Sequence, residues 1–456
     1  MGILFGTDGV RGLANAELTP EIAFNLGKAG AHVLTKMRHG TPRIIVGTDT
    51  RLSCNMLEAA LCAGLCAVGA KVLLAGVVPT PAIAYLVRHY QLDAGVVISA
   101  SHNPFYDNGI KFFNSEGYKL ADSVEAEIER LIENGLDDLP RPTGDAIGRR
   151  EACPQALADY IDFLASTMPG VSFGGLKIAL DCAHGATYEA APKVFAKCGA
   201  DVHNLHVLHN APNGENINVA CGSTHMDALC RYVVENKMDV GIAFDGDGDR
   251  CLLVDEQGRI VDGDQMMSIC AAALKAQGKL RKDTVVATIM SNLGLHIMGE
   301  KTGIKIETTD VGDRYVLEKM LAEGYAFGGE QSGHIIFLDH NTTGDGLLTA
   351  LFVASLMQKD GVRTPLSALN CQMDVLPQTL VNAKVGNHKK TAYMDDETIR
   401  RAIADIEQTL SKEGRVLIRP SGTEPLVRIM LEGRDKAFLD AEANRLAKLF
   451  EACLRD

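Results

Sequence analysis

The sequence predicts an α/β protein of mixed, largely parallel sheets in three related units, followed by a small α+β domain. Three observations lead there. Short β-branched runs alternate with amphipathic stretches along most of the chain. The alternation repeats three times in outline: strand, helix, strand, helix, then a strand ending in a polar motif. The last segment departs from it, with two strands around a polar turn and then a charged amphipathic helix.

In the first block the spacing predicts strands at 43–47, 71–78 and 95–99, and in the second at 177–181, 201–208 and 240–244. The third has them at 284–289, 305–308 and 325–328. Amphipathic stretches such as 56–68 and 186–198 fill the gaps as helices. The most apolar region, 59–87, is interrupted by Lys71 and Pro79 and reads as a buried helix followed by a buried strand, not a membrane span. A Pro- and Gly-containing linker at 139–145 and a break near 361–365 mark boundaries. The last segment has strands at 414–419 and 426–432 and a helix from 436 to about 453.

At 456 residues the chain can hold about three or four domains. Its net charge of −13 argues against nucleic acid or an anionic membrane as a partner, since both need a basic face. A small anionic substrate needs only a local basic pocket. No signal peptide precedes the first motif, and Gly6 spoils a myristoylation pattern. The twelve cysteines are scattered without a Cys-x-x-Cys pair, which suits reduced thiols in a cytoplasmic protein.

Four polar runs carry candidate chemistry. Ser101 ends the apolar run Val96-Val97-Ile98-Ser99-Ala100 and is followed by His102-Asn103-Pro104, with Lys111 further on. A lone serine in such a turn is usually a turn former, but His102 and Lys111 bring proton-handling groups to the same loop. A hydrolase triad is set aside, because there is no Gly-x-Ser-x-Gly elbow and adjacent residues rarely align for proton relay. The run Asp245-Gly246-Asp247-Gly248-Asp249-Arg250 places carboxylates at i, i+2 and i+4, a spacing that can curl around a hard cation. An EF-hand does not fit: Arg250 stands where the loop needs glycine, and the flanks are strands. A solvated acidic turn is the plainer alternative, although three close carboxylates repel one another unless neutralised. Mg²⁺ is favoured because it is usually held by a few carboxylates together with phosphate oxygens. Arg250 could then hold a phosphate.

Third comes Phe327-Gly328-Gly329-Glu330-Gln331-Ser332-Gly333-His334. Glu330 and Ser332 can hydrogen-bond sugar hydroxyls or an amine, and His334 is either a general acid or base or a satisfied turn histidine. Fourth, Arg419-Pro420-Ser421-Gly422-Thr423, with Arg428 on the next strand, offers two guanidiniums, hydroxyls and backbone amides as a phosphate cradle; a plain hairpin loop is the alternative. The fragments Gly47-Thr48-Asp49-Thr50-Arg51 and Val311-Gly312-Asp313-Arg314 add turns with basic side chains.

These four loops, in this order, resemble the α-D-phosphohexomutase superfamily, from Phe5-Gly6-Thr7-Asp8-Gly9-Val10-Arg11-Gly12 to the last arginine loop. Within it the chain is most similar to the bacterial phosphoglucosamine mutases, through that opening, the 99–111 run, Asn216-Ile217-Asn218-Val219-Ala220-Cys221-Gly222-Ser223-Thr224-His225 and the Glu330–His334 run. Phosphoglucomutase/phosphomannomutase members tend to carry Met where Gln331 stands.

The resemblance implies four domains around a central cleft: 1–150 with the phosphoserine loop, 151–253 with the metal loop, 254–366 with the sugar loop, and 367–456 with the phosphate loop, the last with a TATA-box-binding-protein-like fold. It implies that Ser101 is phosphorylated and that one Mg²⁺ per site is bound by Asp245, Asp247, Asp249 and a phosphoserine oxygen. Ser101, Lys111, His334, Arg250, His102 and Arg11 are then the catalytic set. Glu330, Ser332, Gly312, Asp313, Arg314, Arg419, Ser421, Gly422, Thr423 and Arg428 are the substrate-binding set.

The implied reaction interconverts glucosamine 6-phosphate and glucosamine 1-phosphate through glucosamine 1,6-bisphosphate, feeding UDP-N-acetylglucosamine and cell-wall synthesis. The implied partners are hexosamine phosphates, and the family is compatible with a homodimer. Lys111 is expected to be the general acid/base, with its pKa lowered toward neutrality in a cationic cleft, and His334 the second candidate. The alternatives are a phosphoglucomutase or phosphomannomutase, or a non-catalytic sugar-phosphate-binding protein.

Overall fold

The structure is a computed structural model that describes residues 4–6, 8–36, 41–201, 203–358, 361–421 and 424–454. It divides into two compact units: Met1–Met290 with Ile304–Gln372, and Ser291–Gly303 with Met373–Asp456.

The first unit holds three sheets. In the first, β1 (Phe5–Gly6), β2 (Gly9–Leu13), β3 (Arg43–Thr48), β4 (Lys71–Val77), β5 (Ala94–Ile98), β6 (Asp107–Asn114) and β7 (Arg149–Ala152) align in the order β1-β2-β6-β5-β3-β4-β7. The second comprises β8 (Ile178–Asp181), β9 (Leu205–Leu208), β10 (Val240–Phe244), β11 (Cys251–Asp255) and β12 (Ile260–Val261), in the order β12-β11-β10-β8-β9. The third orders β13 (Thr284–Thr288), β14 (Lys305–Thr309), β15 (Phe327–Gly329) and β16 (Ile335–Phe337) as β14-β13-β15-β16.

One plan recurs in all three. A parallel core ends on a strand that turns straight back into an antiparallel partner: β5 into β6, β10 into β11, β15 into β16. The three turns are the Ser101, Asp245–Asp249 and Glu330–His334 runs. The core strands are buried at nearly every position, as their continuous β-branched runs require.

Helices cover the sheets. Around the first lie α1 (Pro20–Thr35), α2 (Cys54–Ala67), α3 (Thr80–His89) and α4 (Asp122–Glu133). With the second go α5 (Ala156–Ser166), α6 (Ala190–Lys197) and α7 (Asp227–Glu235), and with the third α8 (Gly263–Ala276), α10 (Asp313–Glu323) and α11 (Gly346–Met357). Between β13 and β14 the crossover helix α9 (Leu293–Thr302) belongs to the second unit. A short α12 (Leu366–Leu369) follows α11.

The second unit is built on β17 (Gln378–Lys384), β18 (Arg415–Pro420) and β19 (Leu426–Glu432), antiparallel in the order β17-β19-β18. Its core joins Ile399 and Ile406 of α13 (Glu397–Leu410), Leu446 and Phe450 of α14 (Lys436–Leu454), and Val427 and Ile429 of β19.

Several expectations are corrected. The predicted strand 201–208 forms only over Leu205–Leu208, because Asp201 folds a turn, accepting from His203 N at 3.0 Å and Asn204 N at 2.9 Å. The predicted helix 186–198 is confined to α6, and the 59–87 region continues past β4 into α3, started by Thr80-Pro81. Lys111 does not share a loop with Ser101; it lies on β6, opposite Val97. The turn-like Asp107-Asn108-Gly109 hides that strand, and pairing with both β2 and β5 overrides it. β17 has no counterpart among the predicted strands. All twelve cysteines are free thiols, and no described helix is long and apolar enough to cross a membrane.

The crossing of α1 and α2 depends on small residues. A Cβ on Gly64 would stand 2.0 Å from the Phe24 carbonyl oxygen, a backbone atom that cannot move aside cheaply. Gly64→Ala should therefore force the helices apart and destabilise the protein by about 1–3 kcal/mol, read as a lower thermal midpoint.

Candidate active site

Ser101 is 2% exposed and left-handed, at φ 52°, a conformation that costs a non-glycine residue of order 1–3 kcal/mol. A hydrogen-bonded frame holds it there. Arg51, fully buried, donates from Nη2 to the carbonyls of Ser101 (2.8 Å) and Asn103 (2.9 Å), and from Nη1 to those of Pro104 and Asp107. Asp49 fixes the guanidinium through Nε at 2.9 Å and accepts from Ser99 Oγ at 2.6 Å, whose oxygen in turn accepts from Ser101 N at 3.0 Å. Across the sheets, Asn218 Nδ2 donates to the carbonyls of Ser101 (2.9 Å) and Asn103 (3.1 Å). Ser101 Oγ is left to donate to Asp245 Oδ2 at 2.7 Å, with His102 Nδ1 at 3.4 Å.

Asp245, Asp247 and Asp249 are all buried, and one oxygen from each lies within 4.8 Å of the others. The backbone beneath them approaches closely: a Cβ on Gly246 would stand 2.5 Å from the Ser101 carbonyl oxygen. Gly248 N and Arg250 N donate to Asp245 Oδ1 at 3.1 and 3.3 Å. The first residue of α3 serves Asp247: Thr80 N donates to its carbonyl and Thr80 Oγ1 to its carboxylate, both at 2.8 Å. A helix N-terminus there favours the negative charge.

The donor set fits a hard divalent cation. Asp247 Oδ1 and Asp249 Oδ1 are buried without a hydrogen-bond partner. Burial, with the like charges of Asp249 and Asp247, pushes the Asp245 carboxyl well above the usual range. A cation among these oxygens would relieve both conditions.

Around the cage runs a chain of alternating charge. Lys111 Nζ contacts Asp247 Oδ2 (2.9 Å) and Asp8 Oδ2 (2.8 Å), and Lys119 Nζ joins Asp8 Oδ1 (2.6 Å) to Asp313 Oδ2 (2.5 Å). His334 lies between Asp313, 3.6 Å from Nε2, and Asp249, 3.5 Å from Nδ1. Arg11 also pairs with Asp8.

Lys111 therefore does not sit in a cationic pocket. Burial alone would pull its pKa down, but Asp247 and Asp8 outweigh it and hold the pKa above the ordinary value. His334 is likewise raised, by Asp249 and Asp313 acting against burial. Its Nε2 accepts from Gly344 N at 3.0 Å, so the ring proton sits on Nδ1, facing Asp249. His102 goes the other way: burial, then Arg250 and Arg11, lower its pKa and keep it neutral.

His102 and His334 border a cavity of about 1140 Å³ that is also lined by, among others, Arg11, Asp249, Arg250 and Glu330. Gly312, Asp313 and Arg314 line it too, although Arg314 is turned toward Asp122 and Glu318. Glu330 accepts from Gly312 N at 3.1 Å and from Ser332 Oγ at 3.5 Å. Gln331 points away from the cavity, donating to Asp262 Oδ2 at 3.2 Å at the N-cap of α8.

In the second unit, Arg419 and Arg428 face each other across β18 and β19. Burial, then the charge of Arg428, lowers the pKa of Arg419. Beside them the Ser421 carbonyl accepts from Lys390 Nζ at 2.8 Å. Gly422 and Thr423 lie outside the described residues.

Sequence reasoning missed Lys119, Thr80 and Lys390, carried Asn218 only inside the 216–225 segment with no role assigned, and singled out Asp49 and Arg51 only as part of a turn. The signal for Arg51 was there: a charged turn between apolar elements has to find partners for a buried guanidinium. Lys119 left none, since it follows an ordinary turn.

The comparisons with known proteins agree with one another. Models of the phosphoglucomutase/phosphomannomutase family match in chain order: alpha/beta/alpha domain I over residues 2–138, domain II over 158–258, domain III over 262–374 and the C-terminal domain over 380–449. The chain is 58% identical to a phosphoglucosamine mutase of Ruminiclostridium cellulolyticum, with 100% of each chain covered. A phosphoglucomutase/phosphomannomutase family protein of Burkholderia thailandensis shares the fold at TM-score 0.80 and 22% identity, over 98% of this chain and 96% of that one. Aspergillus fumigatus N-acetylphosphoglucosamine mutase, solved with GlcNAc-6P and magnesium, shares it at TM-score 0.70 and 18% identity, over 98% and 96%. With every domain matched in order and such identity across its whole length, the chain belongs to the phosphoglucomutase/phosphomannomutase family.

Proposed function

We propose that this chain catalyses the reversible conversion of glucosamine 6-phosphate to glucosamine 1-phosphate, with Ser101 as phosphoryl carrier. One observation carries the reading: Ser101 Oγ donates at 2.7 Å into a buried three-aspartate cage beside a cavity lined by arginines. The full-length likeness to phosphoglucosamine mutases supports the choice of sugar.

In the first transfer the sugar O1 attacks the phosphorus carried on Ser101. The O1–P bond forms as the P–Oγ bond breaks, O1 loses its proton and Oγ gains one. The resulting 1,6-bisphosphate turns over in the cavity. Ser101 Oγ then takes the phosphoryl group from O6, which recovers a proton, and glucosamine 1-phosphate leaves. A cation such as Mg²⁺, held by Asp245, Asp247, Asp249 and a phosphoserine oxygen, would neutralise charge on the transferring group.

The chain's own residues divide the remaining work. Lys111 stays charged near neutrality, so it serves as the acid and cation at Oγ, not as the base. His102 is neutral and 3.4 Å from Oγ, which suits it to take the proton. Arg11 and Arg250, lining the cavity, hold phosphoryl oxygens. Glu330, 9% exposed, accepts from sugar hydroxyls or the ammonium group. Arg419, Arg428 and Ser421, with Gly422 and Thr423, are the proposed phosphate-binding set of the second unit. Arg51 pre-orients the carrier loop through four carbonyls.

Ser101→Ala should abolish mutase turnover, and Asp247→Ala should lower it by about 10²–10⁴-fold with unchanged circular dichroism. Near-normal turnover in either contradicts the mechanism. Arg51→Lys keeps the charge but loses the fork, so kcat should fall about tenfold or more with KM nearly unchanged. kcat/KM for glucosamine phosphates should exceed that for glucose and mannose phosphates by about tenfold or more. The pH profile follows from the sign of the lysine shift. A pKa above the ordinary value leaves Lys111 protonated through neutrality, so it should impose no alkaline limb on kcat/KM below about pH 9. A limb near pH 7 that vanishes in Lys111→Arg would assign the base to Lys111 instead.

A further inference from the structure

We infer that the carboxyl end of the second sheet carries a separate thiolate-containing metal site, built from Asp181, His209 and Cys221 and suited to zinc. One ligand atom of each residue lies within 4.8 Å of the others. Three chain segments supply them: Asp181 ends β8, His209 follows its parallel neighbour β9, and Cys221 precedes the 222–224 turn. Ligands gather at the carboxyl ends of such strands.

His209 and Asp181 approach closely without the alignment of a hydrogen bond. His209 Nδ1 stands 2.9 Å from Asp181 Oδ2, yet Nδ1 is buried and makes no hydrogen bond of acceptable direction. A nitrogen and an oxygen this close and not hydrogen-bonded to each other are compatible with two ligands of one ion. Asp181 is already oriented from behind, its oxygens accepting from Ala183 N (2.9 Å) and Gly222 N (3.0 Å), which is how ligating carboxylates are usually fixed.

Sulfur, imidazole and carboxylate together select a borderline-soft ion such as Zn²⁺, where the all-oxygen cage at Asp245–Asp249 selects a hard one. A catalytic Cys-His-Asp triad is the weaker reading, because Cys221 is fully buried and no substrate reaches it. His209, 29% exposed on its side chain, provides the route for an ion.

Such an ion would brace the active site from outside it. Asn218 N donates to Ala183 O at 3.0 Å while Asn218 Nδ2 reaches the Ser101 carbonyl, and Ala186 N donates to Gly246 O at 2.8 Å. The inference does not rest on the mutase reading.

The test uses the full chain, equilibrated with Zn²⁺ in excess Mg²⁺ and then freed of loose metal. Wild type should retain one zinc per chain, and His209→Gln, at the exposed ligand, should lose it with its circular dichroism intact. Loading with Co²⁺ should give a thiolate-to-cobalt charge-transfer band in the near ultraviolet, absent in Cys221→Ser. No retained zinc in wild type, retention unchanged in His209→Gln, or a cobalt band that survives Cys221→Ser would each overturn the site.

Discussion

Carboxylates taken out of water, three on the β10–β11 turn, one on the β1–β2 turn and one at the start of α10, are the constraint on which the rest of this structure depends. Asp245, Asp247 and Asp249 are each less than 5% exposed, and Asp8 and Asp313 stand close by. Leaving any one of them unpaired would cost several kcal/mol. The fold answers with the order Asp247, Lys111, Asp8, Lys119, Asp313, in which each carboxylate touches a lysine, while Asp249 stands between His334 and the Arg250 guanidinium. Asp245 stands outside that chain, held by a serine hydroxyl and two backbone N–H groups. The oxygens still unsatisfied, Oδ1 of Asp247 and of Asp249, lie in the same cage. A cation there, with the proposed phosphoryl group on the adjacent serine, would complete one electrostatic arrangement.

The same constraint explains why the lysine on β6 behaves differently from what its surroundings in sequence suggest. Counting arginines in nearby motifs implies a cationic cleft and a lysine driven toward neutrality. In the folded chain Lys111 touches two carboxylates, and those arginines face the cavity. Which charges meet is set by strand pairing: β6 lies between β2 and β5, which brings Lys111 beneath both Asp8 and the aspartate turn. The proposed proton acceptor is then a neutral imidazole, His102, whose pKa is lowered by burial first and by Arg250 and Arg11 after it.

Much of this was legible in the sequence, for identifiable reasons. Buried parallel strands are continuous apolar runs, so β3, β5, β8, β10 and β13 stand out, and each polar turn beyond them stands out against the core. The serine, the aspartates and the 330–334 loop could therefore be named before any fold was known. Strands that depend on partners could not. β6 begins with turn residues and β17 alternates weakly, and both exist because neighbours pair with them. The residues that hold the site from a distance were hidden for the same reason. Asn218 acts on Ser101 from 117 positions away, and Lys119 meets Asp313 from 194 away, separations no local pattern encodes.

The central claim is that Ser101 is a phosphoryl carrier that begins and ends each cycle charged. Intact-mass spectrometry of the purified protein tests it most directly. The account predicts a species one phosphate heavier than the bare chain, with that phosphate mapped to Ser101 and exchanged into sugar when glucosamine phosphate is added. A phosphate that stays on the protein through many turnovers, or turnover by a chain that never carries one, would contradict it.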